Sequence, residues 1–229
     1  NIIFEYMNDN LESMIGTYKK QKKYFTEKQI KLYTYQILKG LQFCHNKNIA
    51  HRDLKPENVL INDDEKVKIC DFGSSKVIDA FGKNTPYIVS RYYRAPELIL
   101  CISKYDTSID IWATACIMAE LALREPIFQG KSEGDQLFAI FRTLGSPTAD
   151  QFQEYAKMVP FDPKIFNDFK TFARPDISGE FSNSIEDTEN FLDLMYKMFE
   201  YVPSKRISAS EALKHPFFKD LRDKMLLEQ

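Results

Sequence analysis

The 229 residues hold only eight glycines, one tryptophan, three histidines and four cysteines. The glycines never gather into a phosphate-cradling loop such as G-x-G-x-x-G. Cys44, Cys70, Cys101 and Cys116 are scattered, with no C-x-x-C and no histidine-rich neighbourhood. That argues against a disulfide frame or a zinc site and for reduced thiols. Charge of one sign is also lacking: 31 Lys and Arg stand against 33 Asp and Glu, a formal net of −2. So small an imbalance argues against nucleic-acid binding through bulk positive charge. The longest apolar window, Ile111 to Leu123, is interrupted by Thr114 and Glu120. It is too short to cross a bilayer and reads as a buried helix. No basic-then-apolar signal segment opens the chain.

What is present is an ordinary globular composition, 44% hydrophobic and 28% charged, enough to bury a real core. The length suits one large domain or two small ones. Ile2 to Met7 reads as a short strand that Asn8-Asp9-Asn10 breaks, with a small helix over about residues 11–18. The lysine run from Lys19 to Lys23 reads as solvated surface. Thr26 with Gln29 three residues on is a capping box, opening a long helix whose face carries Ile30, Ile37, Leu41 and Cys44. Val59 to Ile61 and Val67 to Ile69, split by Asn62-Asp63-Asp64, read as a hairpin. Helices are expected over 109–123, 135–144, 188–199 and 208–214, the last opened by a Ser208/Glu211 capping box. The Phe-, Pro- and Asp-rich stretch between Gly145 and Asp187 carries no clear order. The expected fold is mostly α with one small hairpin platform.

Chemistry concentrates in His51-Arg52-Asp53-Leu54-Lys55-Pro56-Glu57-Asn58, with Asp71-Phe72-Gly73 following the hairpin. Five fixed positions at about one chance in 20 each recur roughly once in three million windows. The two motifs resemble the catalytic loop and metal-binding loop of the eukaryotic protein kinases. The resemblance implies Asp53 as the base for the attacking hydroxyl and Lys55 at the transferring phosphoryl, a Ser/Thr-type feature. It implies Asn58 and Asp71 as oxygen ligands for Mg²⁺ bridging the phosphates of ATP. Ala95-Pro96-Glu97 resembles the end of the activation segment, implying that Glu97 pairs with Arg206 and that Asp110 holds the catalytic-loop backbone. Phe4-Glu5-Tyr6-Met7 resembles the hinge between kinase lobes, which puts Phe4, Glu5, Met7, Leu60 and Cys70 around adenine. Taken alone, Phe4 and Leu60 are core residues, and only their offsets from the stronger motifs promote them.

The implied organisation is the end of the N-lobe strand and the hinge over 1–8, then the large C-terminal lobe over 9–229. Within that lobe the catalytic loop spans 51–58, the activation segment 71–97 and a branch-specific insert about 145–187. The glycine-rich loop and the rest of the N-terminal β-lobe would lie before Asn1, so the bare 229 residues are expected to bind ATP poorly and transfer little phosphate.

Ser90 to Glu97 resembles the branch holding cyclin-dependent, mitogen-activated and glycogen-synthase kinases, and Asp71 to Lys76 and Tyr87 to Arg91 are most similar to glycogen synthase kinase-3. That subgroup implies a regulatory phosphotyrosine at Tyr87 and a pocket for a priming phosphate, to which Arg52 and Lys76 contribute. Thr85-Pro86-Tyr87 has instead the T-x-Y spacing of mitogen-activated kinases, phosphorylated at both Thr85 and Tyr87. A catalytically dead lobe serving as a binding scaffold is the alternative from another class, opposed by the intact Asp53, Lys55, Asn58 and Asp71. The resemblance implies protein substrates with Ser or Thr acceptors, docking or scaffold partners on the lobe, no nucleic acid or membrane partner, and a place in the cytoplasm, the nucleus or both.

Overall fold

Ser108–Leu123 forms the helix around which the other elements are laid, and every residue from Ile109 to Ala122 is buried. The computed structural model describes residues 5–78 and 91–227. The three polar residues inside this run have partners: Asp110 accepts from the His51 and Arg52 N–H groups, Thr114 Oγ1 donates to the Asp110 carbonyl at 2.7 Å, and the Glu120 carboxylate accepts from Tyr93 Oη at 2.7 Å. Such pairing is what allows polar groups inside a core.

In chain order the elements are β1 (Asp9–Asn10), α1 (Leu11–Lys20), α2 (Glu27–His45), β2 (Ile49–Ala50), β3 (Val59–Ile61), β4 (Val67–Ile69) and β5 (Lys76–Val77). After residue 90 come α3 (Pro96–Ile99), α4 (Ser108–Leu123), α5 (Glu133–Leu144), α6 (Ala149–Ala156), α7 (Thr188–Met198), α8 (Ala209–Ala212) and α9 (Lys219–Leu227). The chain is mostly helical with two small antiparallel sheets, ordered β1-β3-β4 and β2-β5. Helix α2 opens at the Thr26/Gln29 capping box, buries Ile30, Tyr33, Ile37, Leu38 and Leu41, and packs on α4. Cys44, expected on the same face, is only half-buried. Helix α7 packs on α4 as well, and Trp112 of α4 sits against the Phe128 and Phe199 rings.

The hairpin has the expected limits, with Val59 opposite Ile69, Leu60 opposite Lys68 and Ile61 opposite Val67. The start of the chain departs from the expectation. Residues 5–7 form no strand, and Asp9 and Asn10, read as breakers, pair with Ile61 and Leu60. Two residues are enough because Asn10 then caps α1, its Oδ1 accepting from Ser13 N–H at 2.9 Å. The expected strand residues 2–4 lie outside the described residues.

The stretch without legible order contains α6, opened by a Thr148/Gln151 capping box, and short 3-10 turns at Pro163–Asp168 and Ser178–Phe181. Its phenylalanines build a second aromatic cluster, Phe152, Phe166 and Phe169, against Phe138 and Phe141 of α5. Gly145 turns out of α5 at φ +81°, where a Cβ would lie 2.9 Å from the Arg174 backbone nitrogen. Only glycine suits both the angle and the close approach. Among the described residues no helix is long and apolar enough to cross a membrane.

Candidate active site

Two elements meet at residues 51–58: the loop leaves β2 and enters the hairpin through a 3-10 turn at Pro56–Asn58. Its backbone is anchored from below. The His51 and Arg52 N–H groups donate to the two oxygens of the Asp110 carboxylate at 2.9 and 3.0 Å. His45 Nε2 lies 2.9 Å from the same carboxylate, which is 1% exposed in its side chain. A buried carboxylate needs such partners, and here three of them come from two elements. The anchor also holds Arg52 in a left-handed conformation, φ 69°, which a non-glycine residue adopts only against a steric cost.

Above this anchor the loop brings three side chains together. Asn58 Nδ2 donates to the Asp53 carbonyl at 2.7 Å and to its carboxylate at 3.2 Å. Lys55 Nζ lies 3.6 Å from the same carboxylate. The amide fixes Asp53 without taking its second oxygen, and with Nδ2 directed inward the Asn58 amide oxygen takes no part in these bonds. The hairpin carries the fourth group: beyond the Val59–Ile69 pair, Cys70 N–H donates to the Asn58 carbonyl at 2.9 Å, and Asp71 follows. Asp71 is exposed and left-handed at φ 58°, its Oδ1 accepting from Gly73 N–H at 3.3 Å.

His51 joins the two loops. Its Nδ1 accepts from the Asp53 N–H at 3.3 Å, so the proton belongs on Nε2, which reaches the Cys70 carbonyl at 2.8 Å. The imidazole edge meets the Phe72 ring at 4.8 Å between centroids.

Among the described residues no group of three or more His, Cys, Asp or Glu side chains could hold a metal ion alone. The oxygen donors that the motifs single out are one carboxylate, Asp71, and one amide oxygen, Asn58. Both are hard oxygen donors that suit Mg²⁺ completing its shell with phosphate and water.

Of the expected adenine contacts, Leu60 points away from the core between buried Val59 and Ile61 and is only half-buried. Cys70 is half-buried, and burial with the nearby Asp71 charge pushes its thiol up, so it is a thiol rather than a thiolate. Met7 is half-buried, while Glu5 is exposed and lies 3.3 Å from Lys68 Nζ. Phe4 lies outside the described residues, as do Thr85 and Tyr87.

The β2–β5 pairing sets Lys76 opposite Ala50, two residues before Arg52. The Arg52 guanidinium donates to the Ser74 carbonyl at 2.6 Å and to Tyr105 Oη at 2.9 Å. Glu97 and Arg206 form a bidentate pair at 2.8 and 3.1 Å with both side chains fully buried. Arg206 also donates to the Ser108 carbonyl at the start of α4, so this ion pair staples α3 to the central helix.

Several groups here were not singled out in the sequence. His45 shares Asp110, Tyr105 holds Arg52, Tyr93 pairs with Glu120, and Arg94 forms an ion pair with Glu133. Burial lifts the Glu120 carboxyl to about 7, with the negative charges of Glu12 and Glu57 adding to it and the Tyr93 hydroxyl opposing. A glutamate interrupting a helix that is otherwise apolar was the available signal for that pair.

The protein kinase domain profile matches residues 1–218. The chain is 41% identical over 225 residues to "Protein kinase gsk3" of Schizosaccharomyces pombe, covering 97% of this chain and 56% of that protein. "Glycogen synthase kinase 1" of Pyricularia oryzae is 38% identical over 97% of this chain and 55% of its own length. "Cyclin-dependent kinase D-1" of Arabidopsis thaliana is 39% identical over 95% and 52%. The chain thus spans about half the length of the curated relatives it matches. With Asp53, Lys55 and Asn58 gathered on the loop that enters the hairpin, Asp71 following the hairpin, and likenesses of 38–41% identity spanning 95–97% of its length, the chain belongs to the protein kinase domain family, on the branch of the glycogen synthase and cyclin-dependent kinases.

Proposed function

We propose that this chain carries the acceptor-binding and metal-binding half of a serine/threonine kinase that moves the terminal phosphoryl of ATP to protein hydroxyls. The observation that carries the reading is the convergence of Asp53, Lys55 and Asn58 within hydrogen-bond or ion-pair reach, with Asp71 two residues beyond the hairpin pair Val59–Ile69. Asp53 orients the substrate hydroxyl and takes its proton as the new phosphorus–oxygen bond forms and the bond to the departing ADP oxygen breaks. Asn58 holds that carboxylate in place through its amide N–H. Lys55 offers a point charge to the phosphoryl oxygens. Asp71 and the Asn58 oxygen would hold Mg²⁺, which with ATP supplies the transferable group and neutralises its charge. Leu60, Met7 and Cys70 would line the adenine side, with Glu5 and Phe4 at the hinge.

The substrate reading is that of a glycogen-synthase-kinase type, with Arg52 and Lys76 receiving a phosphate already on the substrate. The similarity to the two fungal glycogen synthase kinase-type proteins supports it. A second lobe completes the nucleotide site: Phe43 and Phe72 stand exposed along an apolar groove of about 650 Å³ between α2 and β4, a surface fit for the other lobe of a kinase.

The test is phosphate transfer from Mg-ATP by the full-length protein to two peptides differing only by a phosphoserine four residues after the target serine. Strong preference for the primed peptide is expected. Equal use, above all with proline after the serine, would replace this reading by a proline-directed one. No transfer with nucleotide bound would leave a scaffold. The bare 229 residues are expected to transfer almost nothing, and metal-dependent transfer by them would remove the need for a second lobe.

A further inference from the structure

Residues 91–94 lie beside the catalytic loop, next to Arg52 and Leu54, and on the kinase reading an acceptor segment would rest on them. Tyr93 and Arg94 line a narrow gap with Arg52 and Leu54 of the catalytic loop, and the neighbouring Tyr92 ring is 38% exposed. This short floor, a 3-10 turn at Arg91–Tyr93, is held from the side by the segment running into α5. Arg91 Nη1 donates to the Lys131 carbonyl at 3.0 Å and to the Gly130 carbonyl at 3.4 Å, and Arg94 pairs with Glu133.

At the centre of this junction is Gln136, which has no solvent exposure at all. Its Oε1 accepts from the Gly130 N–H at 2.7 Å. Its Nε2 faces two carbonyls, of Tyr92 at 3.5 Å and of Phe128 at 3.4 Å. One planar amide therefore joins two backbone segments, residues 128–130 and the floor. The approach is so close that a Cβ on residue 130 would lie 2.2 Å from the Gln136 backbone nitrogen, which explains glycine there. A fully buried amide meeting only backbone has no packing reason to be polar. An apolar side chain of equal volume would fill the site but leave the Gly130 N–H and the two carbonyls without this partner.

We propose that Gln136 is a positioning residue for the protein substrate, its amide setting the height of residues 91–94 beside Asp53. The inference rests on the kinase reading, and it assigns Gln136 to acceptor binding and not to nucleotide binding. Glutamate would keep the acceptor for Gly130 and lose both donors. Methionine would lose donors and acceptor alike.

The experiment compares the full-length protein with Gln136→Glu and Gln136→Met. Loss of a buried hydrogen bond of ordinary strength is expected to raise KM for a peptide substrate about tenfold. KM for ATP, and ATP hydrolysis without peptide, should stay within about twofold. The Gln136→Glu defect should shrink between pH 8 and pH 6, because a protonated carboxyl regains one donor, whereas Gln136→Met should show no such relief. If the Glu variant does not fold, the Met variant decides by the split between the two KM values. Equal changes in both KM values, or an unchanged peptide KM, would overturn the proposal. Amide exchange at 91–94 should quicken in both variants while α4 stays protected. If the unaltered protein transfers no phosphate, the kinase reading fails on its own, and unchanged exchange at 91–94 would then overturn the positioning role separately.

Discussion

Asp53 receives two hydrogen bonds' worth of restraint from Asn58 and none that would block its outward oxygen, so its contribution is chemical and local. On the proposed reading Asp53 meets the hydroxyl and not ATP, so Asp53→Asn in the full-length protein should lower kcat at least about 10²-fold with nucleotide affinity nearly unchanged. A titration of nucleotide binding beside single-turnover transfer checks both halves, and a tenfold loss of ATP binding would contradict the role. Glu120 makes a second prediction. Its carboxyl titrates near 7 inside the fold against 4.5 for the free group. Between those values the unfolded chain has already released the proton that the folded chain keeps, so rising pH favours unfolding across that window and the effect levels off above it. The size is on the order of 3 kcal/mol. Urea unfolding at pH 5 and pH 8 should show Glu120→Gln gaining stability relative to the parent as pH rises; a parallel pair of curves would contradict it. The cluster of Asp53, Lys55 and Asn58 was legible in the sequence because spacing within one short motif places the three together. Glu120 and Gln136 were not, since their partners Tyr93 and Gly130 are distant along the chain or contacted only through backbone.

At the scale of elements, legibility followed local signals. The Thr26/Gln29 and Ser208/Glu211 boxes open α2 and α8 as read, and the hairpin limits match because Asn62-Asp63-Asp64 can only turn. Helix α6 carries the same kind of box at Thr148/Gln151, a readable signal hidden by the prolines and phenylalanines around it. Residues 9 and 10 pair as β1 because β3 offers them an edge, which no local pattern announces. The α3-to-α4 staple makes the clearest element-level prediction. Arg206→Leu leaves Glu97 buried without its partner and should cost about 3–5 kcal/mol. Replacing Glu97 and Arg206 together with apolar residues of similar volume should restore much of that. Chemical denaturation of the two variants checks it, and equal losses in both would show that the ion pair is not what binds the elements.

Across the whole molecule, α4 is enclosed along nearly its full length, while α2 and α7 each present only one face to it. Amides of α4 should therefore exchange only through global unfolding, and those of the 3-10 segment Pro163–Asp168 much sooner. Native-state exchange checks the order, and early exchange in α4 would contradict it. The helical majority was legible from periodicity, whereas the aromatic cluster of α5 and α6 was not, because it forms between segments that have no shared pattern. The carboxylate that grips the His51 and Arg52 amides belongs to the most enclosed helix of the protein, so the reacting loop has no softness of its own. Heat should not loosen catalysis before it melts the fold: activity and structure should vanish at one temperature, with no inactive but folded state between them.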